Sequence, residues 1–268
     1  MLRFRSRIRC DGPGVRNGGM VFTPASLFTA SEAGFWADVT TARLWQDVAR
    51  TTAVTAAGQS VASWALTTAA GTIYAEQSVA GSQPVYQVDG SGRGYLNFDG
   101  VDDFLQTALV DFSLTDKMMI CVGLRKNADT LRGMAVELGN GATNGMRLEA
   151  PHTDATDTYR YTSGGTLGPG VASTAGFAAP ITSVVTGLGD IANDVAVLRV
   201  NGTQLASAAT DQGTGNYANA AVFFGRQGGT LLPFSGRIYG IIFRGAATSG
   251  SNLTNAERWV NSRTGAFA

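Results

Sequence analysis

The chain has very few of the residues from which common catalytic and metal sites are built. It carries two cysteines and one histidine in 268 residues. A zinc site needs three or four Cys, His, Asp or Glu ligands at characteristic spacings, and Cys10, Cys121 and His152 show no such spacing. The sequence also lacks the G-x-S-x-G motif of serine hydrolases and the G-x-x-x-x-G-K-[ST] loop that cradles phosphates. These absences argue against a hydrolytic triad, a zinc centre and a nucleotide loop.

Long apolar segments are missing as well. No stretch approaches the roughly 18 consecutive apolar residues of a membrane span. No apolar stretch follows the basic N-terminus, as it would in a signal peptide. Cys121 lies in the apolar run 118–124, where a cysteine behaves as a small buried side chain. We therefore expect no disulfide with Cys10, no signal peptide and no membrane partner.

Charged residues are scarce at 15% and balanced overall, but they are unevenly placed. The first 20 residues hold five arginines against one aspartate, a net charge of 5 − 1 = +4, which leaves 15 − 19 = −4 for the rest. Because alternate residues of a strand share a face, Arg3, Arg5, Arg7 and Arg9 would form one basic edge. We predict that residues 1–21 are an anchoring arm with a glycine linker, followed by one domain at 22–268. A free nucleic-acid-binding protein would also have a basic domain, so nucleic acid is not an expected partner.

What the sequence does contain is typical of β-structure. It has 35 glycines and 44% hydrophobic residues, and strand-like segments recur about every ten residues between glycine turns. The segment Y-L-N-F-D-G-V-D-D-F-L at 95–105 predicts a central hairpin, with the turn at Asp99 and Gly100. The dipeptide Asn201-Gly202 predicts a second hairpin. The apolar run 117–125 predicts a strand covered on both faces.

One helix is predicted, at the C-terminus. Thr254 and Glu257 have the spacing of a capping box, and Ala256 and Val260 would share an apolar face. Gly265 stands where a C′ glycine would end the helix.

Three carboxylates, Asp99, Asp102 and Asp103, crowd the turn after the predicted central strand. They can accept hydrogen bonds from free backbone N–H groups, or they can bind a hard cation. Calcium requires six to eight oxygen ligands, more than this turn alone supplies. We keep both alternatives: a capped turn and a candidate calcium site. No other cofactor is expected.

Several motifs together resemble a known family. They are F-D-G-V-D-D-F at 98–104, the segment 44–64, and, in order, D-V-A-V-L-R-V-N-G-T at 194–203, V-F-F-G-R at 222–226, P-F-S-G-R-I-Y-G-I-I-F at 233–243 and L-T-N-A-E-R at 253–258. These resemble the concanavalin A-like, laminin-G-like jelly-roll domains of phage virion and tail proteins, over roughly residues 22–265. The resemblance implies an all-β fold: a two-sheet antiparallel jelly-roll sandwich with a short C-terminal helix, preceded here by the basic arm.

The resemblance also implies a function. We expect a non-enzymatic structural or accessory protein of a phage or phage-like particle, decorating its head, tail or fibre through the N-terminal arm. Its partners would be other virion subunits, and the particle would contain several copies of it. It would be made in the bacterial cytoplasm and then become part of the particle surface.

Two alternatives remain. The first is an adhesin that binds a host surface polysaccharide, because sugar sites combine aromatic faces with Asp, Asn and Arg. The candidate residues are Asp211, Asn216 and Tyr217 in the polar loop 211–219, with Arg226 and Trp36. The second is a polysaccharide-cleaving enzyme, which would need two carboxylates across one cleft. The glutamates are isolated along the sequence, so we predict no catalytic residue.

Overall fold

The structure is a computed structural model that describes residues 22–139, 141 and 143–268. The predicted arm, with Arg3, Arg5, Arg7 and Arg9, lies outside the described residues. Its anchoring role therefore stays a prediction.

The described chain is built mainly of short strands. In chain order they are β1 (Gly34–Asp38), β2 (Leu44–Trp45), β3 (Ser63–Thr68), β4 (Gly71–Glu76), β5 (Val85–Val88), β6 (Gly94–Asp99), β7 (Leu105–Thr107), β8 (Val110–Asp111), β9 (Lys117–Lys126), β10 (Met134–Leu138), β11 (Gly145–Glu149), β12 (Tyr159–Gly164), β13 (Gly170–Thr174), β14 (Ile181–Asp190), β15 (Val195–Val200), β16 (Thr203–Ala208), β17 (Asn219–Ala220), β18 (Val222–Phe224) and β19 (Ser235–Arg244). One α-helix, α1 (Gly250–Thr264), follows them, and short 3₁₀ turns occupy Pro24–Leu27, Thr41–Arg43 and Ala80–Ser82.

Strand pairing is antiparallel throughout and gives two layers. In layer one the order is β5–β6–β19–β9–β14–β15–β16, and β1 lies beside the C-terminal half of β19. In layer two it is β2–β3–β4–β7–β18–β10–β11–β12–β13. A single bridge between Trp36 and Thr67 joins the layers at one edge. The predicted all-β sandwich is confirmed.

The core fills the space between the layers, because alternate residues of each strand face inward. It includes the buried Trp64, Leu96, Leu148 and Phe243. Along β9, Ile120 and its alternate neighbours join this core, whereas Met119 and Cys121 face the opposite side. The expectation that this strand is covered on both faces is confirmed.

Helix α1 covers the outer face of layer one. Ala256 and Val260 are buried against Met119 and Cys121 of β9, as the apolar pattern predicted. Gly265 ends the helix with a φ of 66°, and its N–H donates to the Asn261 carbonyl at 2.6 Å.

The predicted capping box is wrong. The helix begins at Gly250, so Thr254 lies inside it, where its hydroxyl donates to the Gly250 carbonyl at 3.2 Å. Glu257 does not bond back to Thr254, because it is engaged by Arg199 with Nε to Oε1 at 2.7 Å.

The two hairpin predictions have opposite outcomes. Asn201 and Gly202 both have positive φ, 51° and 80°, and they connect β15 to β16 as predicted. The turn after Asp99 does not form a hairpin. Strand β6 pairs with β5 and β19 in layer one, whereas β7 pairs with β4 and β18 in layer two. The segment 100–104 thus connects one layer to the other. The residues of the turn do not determine whether the next strand pairs in the same layer or in the other one.

Within the part of the chain that the structure describes, no helix is long and apolar enough to cross a membrane.

Candidate functional site

The predicted sugar-binding loop does not present its aromatic residue. Tyr217 is only 1% exposed, and its hydroxyl lies 2.6 Å from Oγ of Ser163 inside the sandwich. The space that it fills is left by Gly189 of β14, where a Cβ would lie 2.1 Å from the Tyr217 hydroxyl oxygen. The prediction that Tyr217 offers an exposed stacking face is wrong. Gly189 has no side chain, and the Tyr217 ring is buried with its hydroxyl in the space beside that glycine.

The exposed polar side chains of that loop form hydrogen bonds with backbone groups. The Asp211 carboxylate accepts the Gly213 N–H at 2.8 Å. The Asn216 carboxamide donates to the Ser113 carbonyl at 2.6 Å. Asp211 thus stabilises its own loop, whereas Asn216 ties the loop to the segment that follows β8.

The remaining two predicted residues lie elsewhere. Trp36 of β1 packs on the outer face of layer one against Phe28, with ring centroids 4.9 Å apart. Arg226 follows β18 in layer two and donates to the Gly229 carbonyl at 3.4 Å. The structure does not bring these five residues into one site, since they belong to different layers.

The Asp99–Asp102–Asp103 group is compact, with one oxygen of each within 4.8 Å of the others. Each carboxylate already accepts a hydrogen bond. Oδ1 of Asp99 accepts the Val101 N–H at 2.7 Å, Oδ2 of Asp102 accepts the Ser82 hydroxyl at 2.8 Å, and Oδ2 of Asp103 accepts the Asp99 N–H at 2.9 Å. These bonds are those of a capped turn. One oxygen of each remains, fewer than calcium requires, so calcium binding stays a prediction.

The buried carboxyl group of Asp103 should make the free energy of unfolding depend on pH. Burial, together with the neighbouring Asp99 and Asp102, raises its pKa to about 7, while the Asp99 N–H opposes this. The folded state therefore holds a proton that the unfolded state has lost, so the free energy of unfolding should fall as the pH rises from 4 to 7, by at most about 4 kcal/mol. We expect Asp103→Asn to match the parent at pH 4 and to exceed its stability at pH 8, measured by urea unfolding. Calcium at pH 8 should abolish this difference in stability only if the three carboxylates bind it. If the stabilities of both proteins depend on pH in the same way, the raised pKa does not belong to Asp103.

Sequence reasoning missed a ladder of buried ion pairs on the outward side of layer two. Glu137 and Glu149 are fully buried on β10 and β11. Arg147 donates to Glu137 at 2.8 Å, and Arg160 donates to Glu149 at 2.8 Å. Arg132 completes the second group, with Nε 2.7 Å from Glu149 Oε2. Glutamate–arginine spacings of 10 and 11 residues across successive strand segments were the signal available in the sequence.

An accessible groove lies at the end of the sandwich where β9 finishes. Its volume is about 610 Å³. Three threonines, two aspartates and two alanines line it: Thr130, Thr156, Thr158, Asp129, Asp157, Ala155 and Ala175.

Hydrogen bonds fix the walls of this groove. Asp129 receives the Lys126 ammonium at 2.5 Å and the Ala179 N–H at 2.6 Å, so both of its oxygens are engaged. Lys126 is fully buried, and its desolvation lowers its pKa. Asp157, which lines the groove, accepts the Gly176 N–H through Oδ2 at 3.0 Å, and its Oδ1 accepts no hydrogen bond from the described residues.

A chain of hydroxyls continues along the same wall. Thr158 Oγ1 lies 2.8 Å from both His152 Nδ1 and Thr156 Oγ1. Burial lowers the pKa of His152, so the ring is neutral at pH 7. Ala155 between them adopts a φ of 55°, a conformation that costs free energy for a residue with a Cβ and is concentrated at functional sites.

Comparison with protein families gave no matching family model, and no curated protein matched the chain. Comparison with solved structures did give matches. A sialidase of Trypanosoma rangeli in complex with the inhibitor DANA is similar with a TM-score of 0.53 and 9% identity, over 82% of this chain and 32% of the sialidase. This similarity shows the β-sandwich fold alone.

Two weaker similarities concern binding domains. The binding domain of botulinum neurotoxin DC, in complex with rat synaptotagmin II, gives a TM-score of 0.48 and 9% identity, over 72% of this chain and 49% of that one. The CBM40 of a Ruminococcus gnavus IT-sialidase, bound to α2,3 sialyllactose, gives 0.43 and 15% identity, over 53% of this chain and 83% of that one. The chain thus spans about a third of the sialidase and half of the toxin domain.

Proposed function

We propose that this protein is a non-catalytic β-sandwich that binds a carbohydrate in the groove at residues 129–130 and 155–158. The observation that carries the proposal is the lining of the groove: the Asp157 carboxylate and the exposed Thr130 lie on a concave surface that is otherwise mostly apolar. Glycan hydroxyls both donate and accept hydrogen bonds, and a few placed polar groups in a concave site fix such a ligand.

The donors and acceptors of the groove complement a sugar. Asp157 Oδ1 accepts from a ligand hydroxyl, and Thr130, which is exposed at the rim, donates to or accepts from another. Asp129 is held by Lys126 and so shapes the wall. The glycan alternative from the sequence is thereby retained, but with none of the five residues first named for it.

The proposal that the protein is not an enzyme has separate support. Hydrolysis of a glycosidic bond uses two carboxyl groups that flank one bond. Among the described residues, the two glutamates on adjacent strands of layer two are each occupied by arginine and fully buried. In the groove, Asp129 has both oxygens engaged, so only Asp157 offers a free one.

A glycan array followed by calorimetric titration of the best ligand tests the proposal. We expect Asp157→Asn to weaken binding roughly tenfold or more, because a hydrogen bond to a charged group contributes about 1.5–3 kcal/mol. The asparagine oxygen can still accept the Gly176 N–H, so the fold is kept. Asp211→Asn is the matched control, since it removes one exposed carboxylate from a different loop.

The same array separates the rival function. We propose, as the second candidate, a structural component of a phage or phage-like particle, made in the host cytoplasm and mounted on other virion subunits through the arm. The net charge of +4 in the first 20 residues favours it. A purely structural component would bind no glycan, with or without EDTA. Equal affinity of Asp157→Asn and the parent for a bound glycan would exclude the groove.

A further inference from the structure

A second concave surface lies on the outward side of layer two. It is a groove of about 300 Å³ beside strands β4 and β7, and it shares no lining residue with the groove at 129–130 and 155–158. Four of its lining side chains determine its chemistry: Val48, Glu76, Phe104 and Gln106. We call it the β4–β7 groove.

Strand register places a carboxylate and a carboxamide side by side in this groove. Glu76 of β4 pairs directly with Gln106 of β7. Their strand neighbours Ala75 and Leu105 are buried in the core. Because side chains alternate along a strand, the paired glutamate and glutamine point outward. Directly paired side chains have Cβ atoms about 4.5–5.5 Å apart, so one ligand can contact both.

The carboxylate of Glu76 is held in place, and its charge is compensated. Arg50 forms an ion pair with Oε1 of Glu76, and the guanidinium carbon of Arg50 lies 4.0 Å from the centre of the Tyr74 ring. The Ser63 hydroxyl also donates to Oε1, at 3.4 Å, whereas Oε2 accepts no hydrogen bond from the described residues. Glu76 is the only charged residue in the lining, so with Arg50 beside it the groove has no net charge to attract an ion.

Aromatic side chains flank these polar groups. Phe104 lines the groove, and Phe223 of β18 pairs with Gln106 on the side opposite to Glu76. Both phenylalanines are partly exposed. The Phe104 ring lies against Gly229, where an added Cβ would be 2.9 Å from Cε2. The polar pair therefore has apolar rings next to it at the protein surface.

We propose that the β4–β7 groove is a second carbohydrate-binding site, which takes an uncharged sugar chain. The inference rests on the proposed function for its class of ligand, but it uses none of the residues of the first groove. A pyranose ring has an apolar face of C–H groups that packs on an aromatic ring, and its hydroxyl groups both donate and accept hydrogen bonds. The exposed Gln106 carboxamide donates and accepts, and Oε2 of Glu76 accepts. A few polar groups of this kind in a concave site orient a small ligand.

Affinity electrophoresis of the whole chain in gels that contain dextran, laminarin or galactomannan tests this site. The variants are Gln106→Ala and Phe104→Leu, and the matched control is Gln204→Ala, which removes an exposed glutamine from β16 in layer one. For the polymer that retards the parent, we expect Gln106→Ala to weaken binding roughly fivefold or more, since it removes neutral hydrogen bonds. Phe104→Leu should weaken it roughly threefold, because leucine is apolar but offers no flat ring. The control should bind as the parent does.

Asp157→Asn distinguishes this site from the first groove. If Asp157→Asn alone weakens binding, the first groove binds the sugar and the present proposal is wrong. If Gln106→Ala and Phe104→Leu alone weaken it, the β4–β7 groove is the site and the first groove is not. Weaker binding by all three variants indicates two sites on one chain.

Two further results would overturn the proposal. One is a parent that none of the three neutral polymers retards. The other is stronger retardation by alginate, whose sugars carry carboxylates, because a groove with a glutamate and no net positive charge should not prefer an anionic polymer. Urea unfolding of Gln106→Ala should match the parent, since this exposed side chain forms no hydrogen bond with the described residues.

Discussion

Replacement of Glu149 by glutamine should lower the free energy of unfolding by about 3 kcal/mol, the scale of a broken buried ion pair. Glu149 is fully buried, and it accepts from Arg132 at 2.7 Å and Arg160 at 2.8 Å. Glutamine keeps the volume but turns one acceptor into an N–H₂ group that faces an arginine donor. The two arginines then lose the charge that offsets their partial desolvation. Urea unfolding should show a lower midpoint with an unchanged slope.

The matched control is Glu76→Gln. Glu76 is also paired with an arginine, Arg50, but both side chains are about a third exposed. Exposed pairs contribute between 0 and about 1 kcal/mol, so this change should have little effect. Equal losses for the two substitutions would show that burial does not govern the strength of the ladder.

Replacement of Gly187 by alanine should cost about 3 kcal/mol or more. A Cβ at this position of β14 would lie 2.1 Å from Cδ2 of Tyr161, and that ring is itself fully buried. An overpacked core must move side chains from their rotamers or shift the backbone. Because the clash is with one ring, the double variant Gly187→Ala with Tyr161→Leu should recover part of the loss, which a double-mutant cycle measures.

Gly168→Ala is the control for this substitution. Gly168 is exposed, and an added Cβ there would meet nothing within 4 Å. Its change in unfolding free energy should stay within about 0.5 kcal/mol, as is usual for surface substitutions. A similar loss at both positions would mean that glycine's backbone freedom, and not the contact with Tyr161, causes the effect.

Much of the fold could be predicted because its signals are local. The alternation of side chains and the Asn201-Gly202 turn determine strands β15 and β16, since the backbone geometry of a two-residue turn depends on the turn itself. The segment after Asp99 has equally good turn chemistry, yet it links the two layers. The pairing of strands depends on contacts between residues that are distant in the chain, and the local sequence gives no sign of these contacts.

The candidate site was harder to predict for the same reason. Tyr217 was expected to be exposed because its neighbours are polar, but its hydroxyl end fills the space beside Gly189 of β14, a strand that is not adjacent to it in sequence. Glu137 and Glu149 are isolated in the sequence, and strand register alone brings each beside its arginine. Asp157 and Thr130 gave no signal, since their groove exists only where two loops meet.

The sequence by itself determined an all-β chain with one apolar-faced helix at its end, because periodicity and turn chemistry act over a few residues. The tertiary structure alone decided the strand order, the burial of Tyr217, the pairing of the two glutamates with arginines, and the groove. Each of these depends on how segments that are distant in sequence pack together in the two layers, because that packing determines which side chains are buried and which charges are paired.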